Sequence, residues 1–159
     1  KELSENVKAN VEIVLDTRGN LLQDNIHGNF FIKPNIHELR DMFNEKLETK
    51  EEIVKKCSFF LERGVKNIII SRGGDGALLV NKDFVLEATV PDGELINSIG
   101  AGDSMVAGFI AGHVKGYSIE DSFRLAVASG SATAYSYGLA ENELVEKLYK
   151  EIKIIKESV

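Results

Sequence analysis

The sequence predicts an α/β fold, a three-layer sandwich with a largely parallel central sheet. Short apolar segments alternate with longer segments of helical spacing, which is the order of βαβ units. One of the short segments, residues 68–70, is Ile-Ile-Ile, the pattern of a strand covered on both faces. Ligands of such sheets bind beyond the carboxyl ends of the strands, so the loops at those ends are where a site is expected.

Five segments have the composition of strands. Apolar and β-branched residues dominate each of them, and turn-forming residues bound most of them. In chain order they are residues 11–15, 30–32, 68–70, 77–80 and 84–88.

Helix signals separate these strands. Asn35 is a good N-cap for a helix whose apolar residues keep helical spacing as far as Leu47. Thr49 and Glu52 have the spacing of a capping box, and the helix they begin should stop at Gly64.

Three more helices are expected in the second half of the chain. The first begins at the Gly100 loop, and the second is capped by Ser118 and Asp121. The last is amphipathic and should carry Leu144 and Ile155 on one face.

Composition excludes several classes of function. The formal net charge of −6 argues against a nucleic-acid partner, because phosphate backbones are bound by clustered Lys and Arg. No apolar run approaches the ~20 residues of a membrane-spanning helix. The single cysteine, Cys57, cannot form an internal disulfide, which favours a reducing, cytoplasmic location. None of the three histidines has a partner at ligand spacing.

The segment 97–104, Asn-Ser-Ile-Gly-Ala-Gly-Asp-Ser, is the strongest candidate for chemistry. Glycines let a backbone approach a ligand closely, and free N–H groups at a helix start favour a phosphate. Asp103 would lie beside that anion and could take a proton from an attacking hydroxyl. Compensation of the helix dipole is an equally good explanation of Asp103 by itself.

Two other glycine loops are excluded here. A Rossmann loop needs a third glycine where Met105 stands. A Walker A loop needs a Gly-Lys-Ser/Thr run, and the sequence has none.

Residues 97–109 resemble the C-terminal motif of the PfkB (ribokinase-type) carbohydrate kinases, and within that family they are most similar to the 1-phosphofructokinases. The resemblance continues in order over nearly the whole chain. It includes segments 14–17, 33–35 with Glu38, 71–76 and 130–134. It implies a ribokinase-like fold.

The resemblance implies a role for each matching residue of the loop. Asp103 would be the catalytic base that activates the sugar hydroxyl. The amides of Gly100, Ala101 and Gly102 would form the anion hole for the γ-phosphate. Gly102 and Asp103 would thereby also contact the nucleotide.

The resemblance also implies an ATP site and an indirect Mg²⁺ site. Ser71, Gly73, Gly74, Asp75 and Gly76 match a stretch that lies along the phosphates and ribose of ATP.

Ser129 matches a helix bordering the adenine. Asn35 and Glu38 match a pair that organises Mg²⁺ through water. Without the family, Asn35 and Glu38 are better explained as a capping box, and residues 74–76 as a hairpin turn.

The resemblance covers only the second half of a family member. Residues 1–159 would therefore be the C-terminal nucleotide-binding part of the kinase domain, without the N-terminal sugar-binding half and its lid. The expectation is that this fragment alone is inactive. A strand edge without its neighbour would make a homo-oligomer a reasonable expectation.

The implied reaction is ATP-dependent phosphoryl transfer to a phosphorylated ketohexose, with fructose 1-phosphate giving fructose 1,6-bisphosphate. Tagatose-6-phosphate kinase and a non-catalytic nucleotide-binding module are the alternatives. Arg18 and Arg72 stand where a small or apolar residue is expected, and the sequence does not decide their role. It also does not decide oligomeric state or allosteric control.

Overall fold

The computed structural model describes residues 11–17 and 19–158, so Arg18 lies outside the described residues. Within these described residues, six strands form one mixed sheet, and their order in the sheet follows the chain. They are β1 (Val14–Leu15), β2 (Phe31–Ile32), β3 (Asn67–Ser71), β4 (Ala77–Val80), β5 (Phe84–Ala88) and β6 (Ile154–Ser158). The pairs β1–β2 and β2–β3 are parallel, with Val14 opposite Phe31 and Phe31 opposite Asn67. The predicted α/β fold is confirmed.

The chain divides into two compact units. One takes in the described residues up to Arg72, Leu78–Val85 and the chain end from Glu157. It contains three helices, α1 (Asn20–Asn25), α2 (Ile36–Phe43) and α3 (Lys50–Leu61). The other takes in Gly73–Ala77 and Leu86–Lys156. It contains a 3₁₀ turn at Gly73–Asp75 and the helices α4 (Ala101–Val114), α5 (Ile119–Ala134) and α6 (Asn142–Glu151).

Capping boxes begin two helices of the first unit, as the sequence predicts. At α3 the Thr49 side chain accepts from the Glu52 amide at 3.2 Å, and Glu52 Oε2 accepts from the Thr49 amide at 3.0 Å. Asn35 and Glu38 make the same pair of bonds at α2. Each box satisfies two N–H groups that lack an acceptor within the helix.

The core of the first unit lies between its helices and strands. Apolar side chains from α1, α2, α3 and the strands are buried there, and fully burying one such side chain contributes roughly 1.5–3 kcal/mol. Phe59 packs edge-to-face on both Phe43 and Phe60 beside this core. The largest fully buried members are Ile26, Ile32, Leu39, Phe60, Ile68, Ile70 and Leu78.

The second unit is built on a close packing of α4 against α5. A Cβ added to Gly108 would lie 2.6 Å from Ser129 Oγ, and one added to Gly112 would lie 2.9 Å from Ser122 Cα. These glycines therefore let the two helices approach closely. Phe109 and Phe123 are fully buried in the same unit.

The structure corrects the ends of three predicted elements. The first strand is limited to Val14–Leu15. Helix α2 ends at Phe43 because Asn44 takes a left-handed conformation at φ 50°, and Leu47 is buried outside the helix. Helix α6 ends at Glu151, and β6 (Ile154–Ser158), which begins with two β-branched isoleucines, replaces the helical face that was predicted to reach Ile155.

Helix α1 was not predicted, because Gly19 and Asn20 have the composition of a turn. Gly19 adopts φ 61° and its carbonyl accepts from the amides of Leu22 and Gln23. The helix buries Leu22, which explains why the turn continues as a helix. Among the described residues, no helix is long and apolar enough to cross a membrane.

Candidate active site

The Gly100 loop begins helix α4, as the sequence predicts. Gly100 is the N-cap and adopts a left-handed conformation at φ 79°, which glycine takes without steric cost. The Ser104 amide donates to the Gly100 carbonyl at 2.9 Å and closes the first helical turn. Before the loop, the Asn97 side chain accepts from the Ile99 amide at 3.0 Å. The sequence folds here as a tight turn followed directly by a helix.

This helix start has the electrostatics of an anion site. The first N–H groups of a helix lack acceptors within it, and the helix dipole adds partial positive charge there. One of the predicted donors is already used, since the Ala101 amide donates to the Ser98 carbonyl at 3.2 Å. Gly102 stays half-buried in the first turn, and Asp103 is exposed in the same turn. The geometry places an accessible carboxylate beside amide donors.

The apolar side chains next to this loop are exposed. Ile99 is 82% exposed and Leu139 is 79% exposed. Leu139 lies beside the loop, because a Cβ built on Gly100 would come within 4.0 Å of its Cδ2. Apolar side chains therefore flank the candidate anion site, whereas the groups that would contact the anion are backbone amides.

The last turn of α5 supports the loop that leads into the site. The Ala134 carbonyl accepts from the amides of Ile96 at 2.9 Å and Asn97 at 3.1 Å. The Tyr135 hydroxyl donates to the Pro91 carbonyl at 2.7 Å, and its ring fills the space above Gly93. Burial raises the pKa of Tyr135, and the negative charge of Asp92 adds to the effect.

Ser129, predicted to border the adenine, lies on α5 and is half-buried. Its hydroxyl faces Gly108 of α4. The next residue, Gly130, is buried against the Ala101 carbonyl, which a Cβ there would approach to 3.0 Å. The structure thus brings the Ser129 segment onto the helix that carries Asp103.

Asn35, Glu38 and Ser71 come together in the first unit. Asn35 and Ser71 form a parallel bridge next to β3, and the Ser71 amide donates to the Pro34 carbonyl at 3.3 Å. Ser71 is the last residue of β3, and Asn35 follows β2, so both lie at the carboxyl ends of parallel strands, where ligands of such sheets bind. All three are half-buried, so their side chains remain accessible.

The capping box predicted as the plain explanation of Asn35 and Glu38 is present. Glu38 uses Oε2 to accept from the Asn35 amide. Mg²⁺ keeps several waters in most nucleotide sites and needs only one or two protein carboxylates. A half-buried carboxylate that caps with one oxygen fits such a water-mediated role. Within residues 11–17 and 19–158, no three His, Cys, Asp or Glu side chains are grouped to hold a metal directly.

The stretch Gly73–Asp75 forms a 3₁₀ turn where a hairpin turn was the plain alternative. Gly73, Gly74 and Asp75 are exposed, and the Gly76 amide donates to the Gly73 carbonyl at 3.1 Å. Gly76 is buried at φ 82°, and a Cβ there would lie 2.1 Å from the Ala88 carbonyl oxygen. Only glycine fits this position. Arg72, whose role the sequence leaves open, is half-buried.

A cavity of about 880 Å³ lies along α6 and contains none of the predicted site residues. Tyr137, Leu139, Leu144 and Lys147 are among the side chains that line it. Because Leu139 also lies beside Gly100, the cavity adjoins the loop of the candidate site.

Sequence reasoning missed the residues that hold the loop from behind, above all Thr133 and Tyr135. Segment 130–134 belongs to the family motif, but the sequence alone assigns no role to Thr133. Its hydroxyl donates to Ser104 Oγ at 2.8 Å, a contact between residues 29 positions apart.

Residues 2–146 match the family described as pfkB family carbohydrate kinase. The chain is 46% identical over 146 residues to a 1-phosphofructokinase of Bacillus subtilis, a match that covers 91% of this chain and 48% of that protein. It is 36% identical over 146 residues to a D-tagatose-1-phosphate kinase of Bacillus licheniformis, with the same two coverages of 91% and 48%.

A solved structure of Arabidopsis thaliana ribokinase, complexed with ribose and ATP, matches with a TM-score of 0.76 and 26% identity. That match covers 88% of this chain and 48% of the ribokinase chain. The chain therefore spans about half the length of the relatives it matches.

Proposed function

Because this chain belongs to the pfkB family of carbohydrate kinases, we propose that the protein carrying it transfers the γ-phosphoryl group of ATP to a hydroxyl of a phosphorylated ketohexose. The proposed acceptor is fructose 1-phosphate, which gives fructose 1,6-bisphosphate. One observation carries the proposal: a glycine turn begins α4, and the exposed Asp103 lies in the first turn of that helix.

The proposed chemistry uses the start of α4 as the anion site. The bond from the γ-phosphorus to the oxygen it shares with the β-phosphate breaks, and a bond to the sugar hydroxyl oxygen forms, leaving ADP. Charge spread over the transferred group is stabilised by amide donors of this first turn other than the Ala101 amide, which donates to the Ser98 carbonyl. Asp103 accepts the hydroxyl proton, a role that typically contributes ~10²–10⁴-fold.

The nucleotide phosphates are proposed to lie along Ser71, Gly73, Gly74, Asp75 and Gly76, and the adenine beside the Ser129 segment. Support for the nucleotide comes from the ribokinase solved with ATP. Glu38 and Asn35 are proposed to hold waters of a Mg²⁺ ion, which when bound neutralises phosphate charge.

The test is an assay of the protein that carries this chain, with ATP, Mg²⁺ and a panel of phosphorylated hexoses. We expect the highest kcat/KM with fructose 1-phosphate and a second phosphate on the product. If the folded protein turns over none of the phosphorylated ketohexoses in the panel, the proposal is contradicted.

A tagatose phosphate is the second candidate acceptor. The observation that favours it is the match to a D-tagatose-1-phosphate kinase, which is weaker than the match to the 1-phosphofructokinase. The ratio of the two kcat/KM values decides between the sugars, since discrimination lies in transition-state binding.

A non-catalytic nucleotide-binding module is a different class of function for this chain. Calorimetry of ATP with the chain, with and without Mg²⁺, measures that binding directly. ATP binding with no phosphoryl transfer to any sugar of the panel is the result that would favour the module.

We also propose a cytoplasmic location and, for this chain by itself, self-association. Among the strands of the described residues, β1 lies at one end of the sheet order, and an edge strand presents unpaired backbone groups. Light scattering after size-exclusion chromatography would measure the mass, and a monomer over the working concentration range would contradict self-association.

A further inference from the structure

We propose that Thr133 is a positioning residue, which holds the first turn of α4 in place through Ser104. This inference rests on the proposed phosphoryl transfer at that turn. Thr133 Oγ1 donates to Ser104 Oγ at 2.8 Å, and Thr133 is only 2% exposed. The acceptor, Ser104, directly follows Asp103 in the chain.

A hydrogen bond to the Ser104 side chain can hold the Gly100 loop in position, because Ser104 itself is bonded to that loop. Its amide donates to the Gly100 carbonyl at 2.9 Å, so it closes the turn that contains Ala101, Gly102 and Asp103. A shift of Ser104 therefore moves the loop carbonyl and the Asp103 backbone together. Misplacement of reacting groups by ~1 Å costs on the order of 10²-fold in rate.

Thr133 contacts the loop with its methyl group as well. A Cβ built on Gly100 would lie 3.9 Å from Thr133 Cγ2, so the methyl group lies beside that glycine. The next residue, Ala134, accepts from the amides of Ile96 and Asn97, ahead of the loop. The last turn of α5 thus holds the segment before Gly100 and the helical turn after it.

The Thr133 hydroxyl can reach Ser104 only because helices α4 and α5 lie close together. Gly130 lies one turn earlier on α5, and a Cβ there would come within 3.0 Å of the Ala101 carbonyl oxygen. With the backbones held at this distance, a threonine side chain spans the gap to Ser104.

Three variants of the protein that carries this chain test the proposal. Thr133→Val keeps the shape and removes the hydroxyl, Thr133→Ser keeps the hydroxyl, and Ser104→Ala removes the acceptor. A hydrogen bond of this kind corresponds to roughly a fivefold change, so we expect T133V and S104A each to lower kcat about fivefold. In T133V and S104A, KM for ATP should change less than kcat. T133S, which keeps the hydroxyl, should have a kcat close to that of the wild type.

The double variant T133V/S104A isolates the contact. If the two residues act through one hydrogen bond, the double variant loses about the same fivefold as each single variant. Losses that multiply, or a T133V enzyme with unchanged kcat, would overturn the proposal. S104A keeps the test decisive if T133V does not fold, because Ser104 is half-buried and tolerates truncation more readily.

Hydrogen exchange gives a readout that does not need activity. We expect T133V to speed exchange at the Ser104 and Ala101 amides, while the distant amide of Lys115, which caps the other end of α4 by donating to the Ala111 carbonyl, exchanges as in the wild type. Unchanged exchange at Ser104 would overturn the proposal even in an inactive protein. A wild type without kinase activity would instead contradict the proposed function, and the exchange rates would still decide the role of Thr133.

Discussion

Asn35 and Glu38 bond each other reciprocally: Asn35 Oδ1 accepts from the Glu38 amide at 2.9 Å, and Glu38 Oε2 accepts from the Asn35 amide at 2.9 Å. The pair is thus a helix cap whatever else it does. Thr49 and Glu52 form a second capping box in the same unit. Because only the first box adjoins Ser71, the second is a natural control.

Glu38→Gln should separate capping from metal binding. Glutamine also closes a capping box, so the free energy of unfolding should hardly change. Loss of the carboxylate should weaken a water-mediated Mg²⁺ site, and outer-shell changes of this kind cost ~10–100-fold in metal affinity. We expect the Mg²⁺ concentration for half-maximal rate to rise at least severalfold, measured at saturating ATP.

Glu52→Gln is the matched control for this prediction. It makes the same chemical change in the other capping box, and its Mg²⁺ dependence should equal that of the wild type. If E38Q and E52Q share one Mg²⁺ dependence, Glu38 is a capping residue only.

Asp103→Asn should nearly abolish turnover while ATP binding persists. The variant keeps the side-chain size but removes the proton acceptor, so kcat should fall by about 10²–10⁴-fold. Steady-state kinetics gives kcat, and calorimetry gives the affinity for ATP. A D103N enzyme with wild-type kcat would remove Asp103 from the mechanism.

Glu143→Gln controls for a simple effect on a helix dipole. Glu143 is exposed in the first turn of α6, as Asp103 is in the first turn of α4. Removing either charge should lower the free energy of unfolding by about 0.3–1 kcal/mol. Only D103N should change kcat.

Local signals in the sequence predicted the caps and the glycine loop correctly. Asn35, Thr49 and Ser118 each bond a backbone amide three residues ahead, so their role is contained within four residues of sequence. The start of α4 at Gly100 was predictable for the same reason. The roles of the site residues remain predictions, since the structure shows only where those residues lie.

Features that depend on distant residues were not predictable. Beyond α6, Ile155 fits helical spacing, but the backbone becomes extended at Ile152, and the Thr89 amide donates to the Lys153 carbonyl. The residues around Lys153 give no sign in the sequence that Thr89 is their partner. The support of the loop by Thr133 depends in the same way on helix packing, which residue spacing does not reveal.

Gly76→Ala should destabilise the protein strongly. The added Cβ would lie 2.1 Å from the Ala88 carbonyl oxygen, and the residue would be held at φ 82°. A left-handed conformation costs about 1–2 kcal/mol for a residue with a Cβ, and overpacking adds about 1–3 kcal/mol. We expect the free energy of unfolding to fall by about 2–5 kcal/mol in urea titrations.

Gly74→Ala in the same turn is the control. A Cβ there meets no atom within 4 Å, so stability should stay within about 0.5 kcal/mol of the wild type. Equal stability of G76A and G74A would show that the turn relaxes without cost.

Cys57 should resist alkylation until the protein opens. Complete burial on α3 raises the pKa of its thiol to about 12, and the thiolate is the reactive form. At pH 8 the native protein should therefore react with iodoacetamide far more slowly than the unfolded protein, as mass spectrometry of the Cys57 peptide would show. The raised pKa also makes the stability of the protein depend on pH. Because the folded state favours the neutral thiol, the contribution of Cys57 to the free energy of unfolding is full below pH ~8.5, where the thiol of the unfolded chain is neutral too. That contribution declines as the pH rises toward 12. Fast labelling of the folded protein at pH 8 would mean that this face of α3 opens readily, and that the core around it is less stable than its packing implies.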